Sequence, residues 1–226
     1  MSKIILEGGT DTAEMALFCS DTLPEHLPDS KFVTEMQNRN TLIRLPTGAD
    51  GGYLLHIYVN ESLQEKVLEY CVQEDKLTGE FNTQNGNVSF GGLESTYASF
   101  KPNKNIREDG QIERGSYFYS AYRTEFPDEA IEEAIQREIG TRGVKMIGIP
   151  GKIALAGVLL TLSTLLAAFT SDYTFFLGAF ATITSTMFIY RQYTRTEGFK
   201  KIDKLKNDVE KNFPSIIIRL DKKEKI

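Results

Sequence analysis

Between Lys152 and Arg191 the chain reads IALAGVLLTLSTLLAAFTSDYTFFLGAFATITSTMFIY (153–190) and carries one charge, Asp172. Nineteen uncharged residues precede that aspartate and eighteen follow it. A helix rises about 1.5 Å per residue and a bilayer core is about 30 Å thick, so roughly 20 apolar residues span it. Two such lengths, reversed at Thr170-Ser171-Asp172, predict a transmembrane helical hairpin over 147–191, with spans of about 150–170 and 173–190.

The hairpin divides the 226 residues into a front domain, 1–143, and a tail, 192–226. The front piece is long enough to bury a core of its own. The mean hydropathy of −0.27 averages a polar domain with an apolar hairpin. Residues 1–145 hold 14 Lys and Arg against 24 Asp and Glu, a net of −10, whereas 191–226 hold 11 against 6, a net of +5. An acidic front domain argues against nucleic acid as partner, because phosphates need a basic face. The basic tail suits anionic lipid headgroups, which makes the lipid bilayer one partner.

In the front domain KIILE (3–7), KFVTEM (31–36), TLIRL (41–45) and GYLLHIYV (52–59) read as strands, rich in β-branched and aromatic residues and bounded by turn formers. AEMALFC (13–19) fits either a strand or two helical turns. Asp50-Gly51-Gly52 predicts a hairpin turn joining 41–45 to 52–59. Asn85-Gly86 predicts a second hairpin between KLTGEFNTQ and NVSFGG. Residues 61–73 change period: Leu63, Val67, Leu68 and Cys71 share a helical face. The polar run 101–112 reads as a loop, and 113–126 as a long aromatic strand. Pro127 opens a helix with acidic first turns; Ile131, Ala134, Ile135 and Ile139 form its stripe, and Gly140 stands at the C′ position.

The fold class expected is therefore α+β: a mainly antiparallel sheet domain with about two packed helices, plus the hairpin. In the tail, Phe199, Ile202, Leu205, Val209 and Phe213 recur at helical spacing before Pro214. SIIIRL (215–220) then reads as a strand that returns to add to the front domain's sheet.

Basic residues flank both spans: Arg137, Arg142, Lys145 and Lys152 before the first, Arg191, Arg195, Lys200, Lys201 and Lys204 after the second. The connector has none. The positive-inside rule places both termini of a multi-pass membrane protein in the cytoplasm and Ser171-Asp172 outside. The first residues, MSKIILEGGTDTAEM, lack the pattern of a signal or transit peptide, so the hairpin is expected to direct insertion. Small residues, Gly157, Ser163 and Ala167 in the first span and Gly178, Ala181 and Ser185 in the second, are the candidate helix-packing positions.

Chemistry is sparse. His26 and His56 accompany no nucleophile signature, and Cys19 with Cys71 form no disulfide framework. A zinc site from these four residues has no ligand spacing behind it. Gly8-Gly9, Gly51-Gly52 and Gly91-Gly92 read as tight turns, not phosphate loops. No cofactor and no metal is implied. Tyr117, Tyr119 and Tyr122 form the candidate partner-binding surface, since interfaces favour tyrosine. Thr161, Ser163, Thr164, Thr182, Thr184 and Ser185 are among the polar groups of the spans, and no ionisable path crosses them.

These features point to a non-enzymatic, membrane-anchored protein-binding module. The turn-rich segments GGTDTAEMALFC (8–19) and NGNVSFGGLES (86–96), with the overall plan, resemble bacterial immunity proteins that guard against delivered toxins. That resemblance implies a protector that binds a cognate toxin at the inner membrane; it assigns no residue. The alternative is a signal-responsive membrane effector, or a subunit of an oligomeric pore or membrane complex, and homo-oligomerisation stays open.

Overall fold

The computed structural model describes residues 3–21, 23–26, 29–101, 105–170 and 175–223, the side chains of 168–170 and 175 excepted. The chain divides into two compact units: Met1–Phe126 with Phe213–Ile226, and Pro127–Asn212. The structure is α+β. It draws the first boundary at Phe126 rather than near 143. It also divides the tail, giving the helix after the second span to one unit and the final strand to the other.

The first unit holds nine strands in two sheets. They are β1 (Lys3–Thr10), β2 (Glu14–Cys19), β3 (Leu42–Pro46), β4 (Gly51–Val59), β5 (Leu77–Thr83), β6 (Asn87–Gly92), β7 (Arg107–Gln111), β8 (Gly115–Arg123) and β9 (Ile216–Lys222). One sheet has the order β1-β4-β9-β8-β5, the other β3-β2-β6-β7. Every pairing is antiparallel except β4 with β9. β9 lies at the centre of its sheet, Ile217 opposite His56 on one side and Tyr122 on the other. A strand buried on both edges and both faces should be almost wholly apolar, and IIIRL is.

Period-2 alternation builds the layers. Met15, Leu17 and Cys19 face the space between the sheets, where they meet Leu55, Ile57, Phe81, Phe90, Tyr117, Ile218 and Leu220. Ala16 and Phe18 point the other way, onto Met36, Phe32 and Val33 of helix α1 (Ser30–Asn38). On the far face of the five-stranded sheet, Ile217 and Tyr122 pack under Leu63, Val67 and Cys71.

Five local expectations fail for identifiable reasons. KFVTEM is helical, not extended. Asp29 caps α1 through a hydrogen bond accepted from the Phe32 amide at 3.0 Å, and Phe32 and Met36, four apart, both reach the outer cluster. The two predicted hairpins do not form, because β3 and β4 lie in different sheets, as do β5 and β6. At Asn85-Gly86 only Gly86 has positive φ, +87°. The type I′ turn that keeps two strands paired needs positive φ at both positions, so here the chain crosses between layers. Residues 107–111, read as loop, are strand β7, a polar edge strand held by β6. The helix expected over 61–73 shrinks to one turn, α2 (Glu65–Leu68), and Cys71 bridges to Thr124 instead.

The second unit is helical: α3 (Asp128–Thr170), α4 (Phe175–Thr194) and α5 (Glu197–Glu210). α3 bends at Gly140, whose φ of +68° and ψ of 169° interrupt the helix where the sequence places a C′ residue. It then runs on through Pro150. By length and composition α3 is the one described helix long and apolar enough to cross a membrane. α4 carries Thr182, Thr184, Ser185, Thr186 and Arg191 and falls short of the same measure. The connector residues Ser171 and Asp172 lie outside the described residues.

Candidate functional site

A cleft of about 510 Å³ opens at one end of the sandwich. Its lining comes from five strands and two loops: Leu45, Pro46, Tyr53, Leu77, Ala121, Tyr122 and Ile216, with Thr47 and Gly48 on one rim and Glu74, Asp75, Lys76 and Arg123 on the other. The charged rim is self-paired. Arg123 Nε donates to Asp75 at 2.7 Å and its Nη1 to Glu125 at 2.6 Å, while Lys76 Nζ stands 5.5 Å over the Tyr122 ring. A second hollow, about 360 Å³, shares Pro46 and Leu77 and runs past Leu42, Arg44, Gly79, Glu80 and Tyr119. β3 and β5 are the edge strands bordering it. The mainly apolar first cleft, continued by a hollow of mixed polarity beside two strand edges, suits an extended segment, with main-chain groups for register and pockets for side chains.

The tyrosines read from the sequence as a surface are mostly structural. Tyr117 is fully buried between the sheets and its hydroxyl donates to the Glu113 carbonyl. Tyr122 is 8 % exposed and packs with Ile217. Tyr119 is half-buried, packs on the inner core and lines the second hollow. The exposed aromatic of β8 is Phe118, with Lys223 Nζ 4.5 Å above its ring. Alternation along β8 explains the reversal: positions 117, 119 and 121 face inward, and 122 lies under the α2 segment.

The histidines and cysteines do not converge. Cys19 lies between the sheets, Cys71 lies on the opposite face of the five-stranded sheet, and His26 is exposed. His56 is buried, with its ring 6.3 Å from Tyr58. Burial pushes both thiols above their ordinary range. Among the described residues no three His, Cys, Asp or Glu side chains gather as a metal-binding group.

One buried polar network was hidden in the supposed loop. Arg107, 4 % exposed, donates through Nη1 to the carbonyls of Ser95 and Tyr97 at 2.9 and 3.0 Å. Its Nε donates to Asp109 at 2.9 Å, and Ser89 donates to the same carboxylate at 2.6 Å. Phe18 and Phe100 flank the guanidinium within 6 Å. Burial raises the Asp109 pKa, but the hydrogen bonds from Arg107 and Ser89 outweigh it and hold the carboxyl below its ordinary range. This cluster fastens the 93–100 segment to β7.

In the helical unit, the outward surface is apolar. Of eighteen exposed large hydrophobic residues in the described chain, fourteen lie between Leu155 and Tyr190. Only 11 % of the most apolar window of α3 is buried. Along α3, Gly143, Pro150 and Gly157 are buried and Thr164 half-buried at seven-residue spacing, and Gly157 and Thr164 meet α4. Of the six packing candidates, Gly157 is buried against Thr186, Gly178 lies 3.9 Å from Thr164 as judged from an added Cβ, and Ala167 is half-buried. Ser163, Ala181 and Ser185 face outward instead. Ala179, 4 % exposed, and Thr186 are contacts that composition alone does not distinguish. Hydroxyls fold back on their own helices: Thr161 donates to Gly157 O at 2.8 Å, Ser163 to Leu159 O at 2.8 Å, Thr182 to Gly178 O at 2.8 Å and Thr184 to Phe180 O at 2.9 Å.

No protein-family model matches this chain, and no curated protein matches it in sequence. Among solved structures it is similar to a protein described as "Crocagin biosynthetic gene J", over 55 % of this chain and 79 % of that one, at 9 % identity and a TM-score of 0.39. A likeness of that size carries no argument about function.

Proposed function

We propose that this chain is a membrane-anchored, non-enzymatic recognition protein. In this reading α3 and α4 cross a bacterial inner membrane as a two-pass hairpin, and the sandwich stays on the cytoplasmic side to bind a protein partner. The observation that carries the reading is the apolar exterior of the helical pair, with fourteen large hydrophobics exposed between Leu155 and Tyr190. Apolar patches beyond a few hundred Å² on one surface mark sites of contact with membrane or protein.

Chain connectivity supports two crossings rather than one. β9 comes after the helical unit and pairs with β4 and β8, which come before it. Residues 127–212 must therefore leave and return on one side, the sandwich side. The lower apolarity of α4 is offset by its own chemistry, since Thr182 and Thr184 spend their hydroxyls on helix carbonyls. The cations at both ends of the pair support a cytoplasmic placement of that side.

For the sandwich, the recess along β3 and β5 replaces the tyrosines as the recognition surface. The resemblance to immunity proteins makes a cognate toxin the partner to test. The outward Ser163, Ala181 and Ser185 favour a second reading, in which further copies pack side by side as a pore or complex.

The test is extraction and labelling of the full chain in cells. The protein should resist alkaline carbonate. Ser171→Cys should react with an impermeant maleimide from outside, whereas Asn212→Cys should react only after lysis. Release by carbonate, or equal labelling of the two, overturns the anchor. Co-expression with the product of a neighbouring toxin gene should restore growth, and loss of that rescue on Leu77→Asp would assign the recess. Depolarisation of cells by this chain alone would instead favour the pore.

A further inference from the structure

We propose that a cationic collar at one level of the helical unit binds the phosphate headgroups of anionic phospholipids; this rests on the membrane reading above. Three contacts within the unit set the level. The Tyr193 hydroxyl donates to the Met146 carbonyl at 3.1 Å, Gly157 abuts Thr186, and the Met146 methyl lies 3.5 Å from a Cβ placed at Gly198. Residues 142–152 of α3 therefore run beside 191–195 of α4 and the start of α5. By the same antiparallel register Lys152 stands level with Arg191.

This level is of one sign. Residues 141–152 and 191–204 hold eight cations against two carboxylates, Glu197 and Asp203. All eight cations are exposed. Lys200 pairs with Glu197 at 2.9 Å. Among the described residues Arg142, Lys145, Lys152, Arg191, Arg195, Lys201 and Lys204 enter no ion pair. Elsewhere in the unit the charges are balanced or reversed. Lys206 pairs with Glu210 at 2.9 Å, and residues 128–138 carry five carboxylates against Arg137 alone. An ordinary solvated surface mixes the signs, because like charges repel. Here the cations are concentrated where the apolar exterior ends, at Leu155 on one helix and Tyr190 on the other. Continuity with that apolar belt selects a lipid over a soluble anion: the acyl chains would meet the belt while the phosphate meets the collar. Each Lys or Arg held near an anionic leaflet favours association by roughly fivefold, within about a Debye length of the surface.

The experiment uses the full-length protein in nanodiscs of phosphatidylcholine with 20 mol % phosphatidylglycerol, the lipid retained by the protein being counted by mass spectrometry. We expect phosphatidylglycerol to be enriched at least fivefold over its bulk fraction. The variant R142Q/K145Q/K152Q/R191Q/R195Q/K201Q should lose that enrichment, whereas R137Q/K206Q, outside the collar, should keep it. Circular dichroism and elution volume control for folding. No enrichment for the wild type, or enrichment that survives the six-site variant, overturns the proposal. Displacement of the lipid by millimolar glycerol phosphate would show a site for free phosphate, and displacement by polyglutamate would show one for acidic polypeptide; either result also overturns it. A protein that enters no nanodisc at all would instead sink the membrane reading itself.

Discussion

Gly157 on α3 and Thr186 on α4 meet where nothing larger than hydrogen fits: a Cβ at 157 would stand 2.3 Å from Thr186 Cγ2. The helices are close because glycine lets the backbone approach a β-branched side chain whose own rotamer is stiff. Gly157→Val should force the pair apart and destabilise it by about 1–3 kcal/mol. A lowered melting temperature in detergent, with little change in the sandwich's near-ultraviolet signal, would agree. Removing the opposing bulk with Thr186→Gly should restore part of the loss, which a non-specific defect would not allow.

The rings of Phe126 and Phe213, where the chain leaves and re-enters the sandwich, are 5.2 Å apart. A short Gly/Ser linker replacing 127–212 should therefore yield a folded nine-stranded protein with cooperative unfolding in urea. A chain ending at Asn212 lacks β9, the central strand of its sheet, and should not fold. An unchanged, protease-resistant sandwich in that truncated chain would show that β9 is dispensable.

Arg107 holds two carbonyls and a carboxylate from a position 4 % exposed. Arg107→Met strands the two carbonyls, while Asp109, 44 % exposed, can turn to water, so the loss should be about 1–3 kcal/mol. Arg107→Lys should rescue little, since an ammonium lacks the planar fork. Urea midpoints of the full chain would measure both, together with faster proteolysis near residues 93–101.

Asp109 supplies a pH signature for the same network. Its folded pKa is depressed, so its contribution is present above the unfolded carboxylate value of about 3.9 and is lost as pH falls through the lower, folded value. The wild-type advantage over Asp109→Asn should hold at neutral pH and narrow in acid. A gap that stays constant with pH would show that the carboxylate's charge is not what matters.

Both thiols are buried, and burial raises both pKa values. Cys19 and Cys71 should react slowly with an aromatic disulfide reagent at pH 8 and fully in guanidinium. Rapid modification of either thiol in the native protein would contradict its position, since a reactive thiol needs access and thiolate character.

Much of the local structure was legible because it is written locally. Strands at 3–10, 42–46, 51–59, 115–123 and 216–222 coincide with apolar or aromatic runs, 14–19 fits strand or helix, 77–83 and 87–92 are marked only by the flanking Asn85-Gly86, and the half-buried stripe Ile131, Ala134, Ile135 and Ile139 follows helical spacing. β7 was not legible, because REDGQ is a polar edge strand defined by its neighbour β6. KFVTEM suits a strand in isolation, but the Asp29 cap and the outer face of Phe18 make it helix α1. The recess draws on residues from Leu45 to Ile216 and leaves no motif at any one place.

The sequence by itself determined which stretches are apolar, their period, and the uneven placement of charge about 153–190. Those properties belong to single segments and survive without knowledge of partners. Tertiary structure alone decided that Asn85-Gly86 and Asp50-Gly51-Gly52 pass between sheets, that Tyr117 is buried between the sheets and Tyr122 under the α2 segment, and that β9 sits between β4 and β8. Each of those outcomes depends on which surfaces lose water together. Side chains far apart in the chain settle that jointly, and no local window contains it.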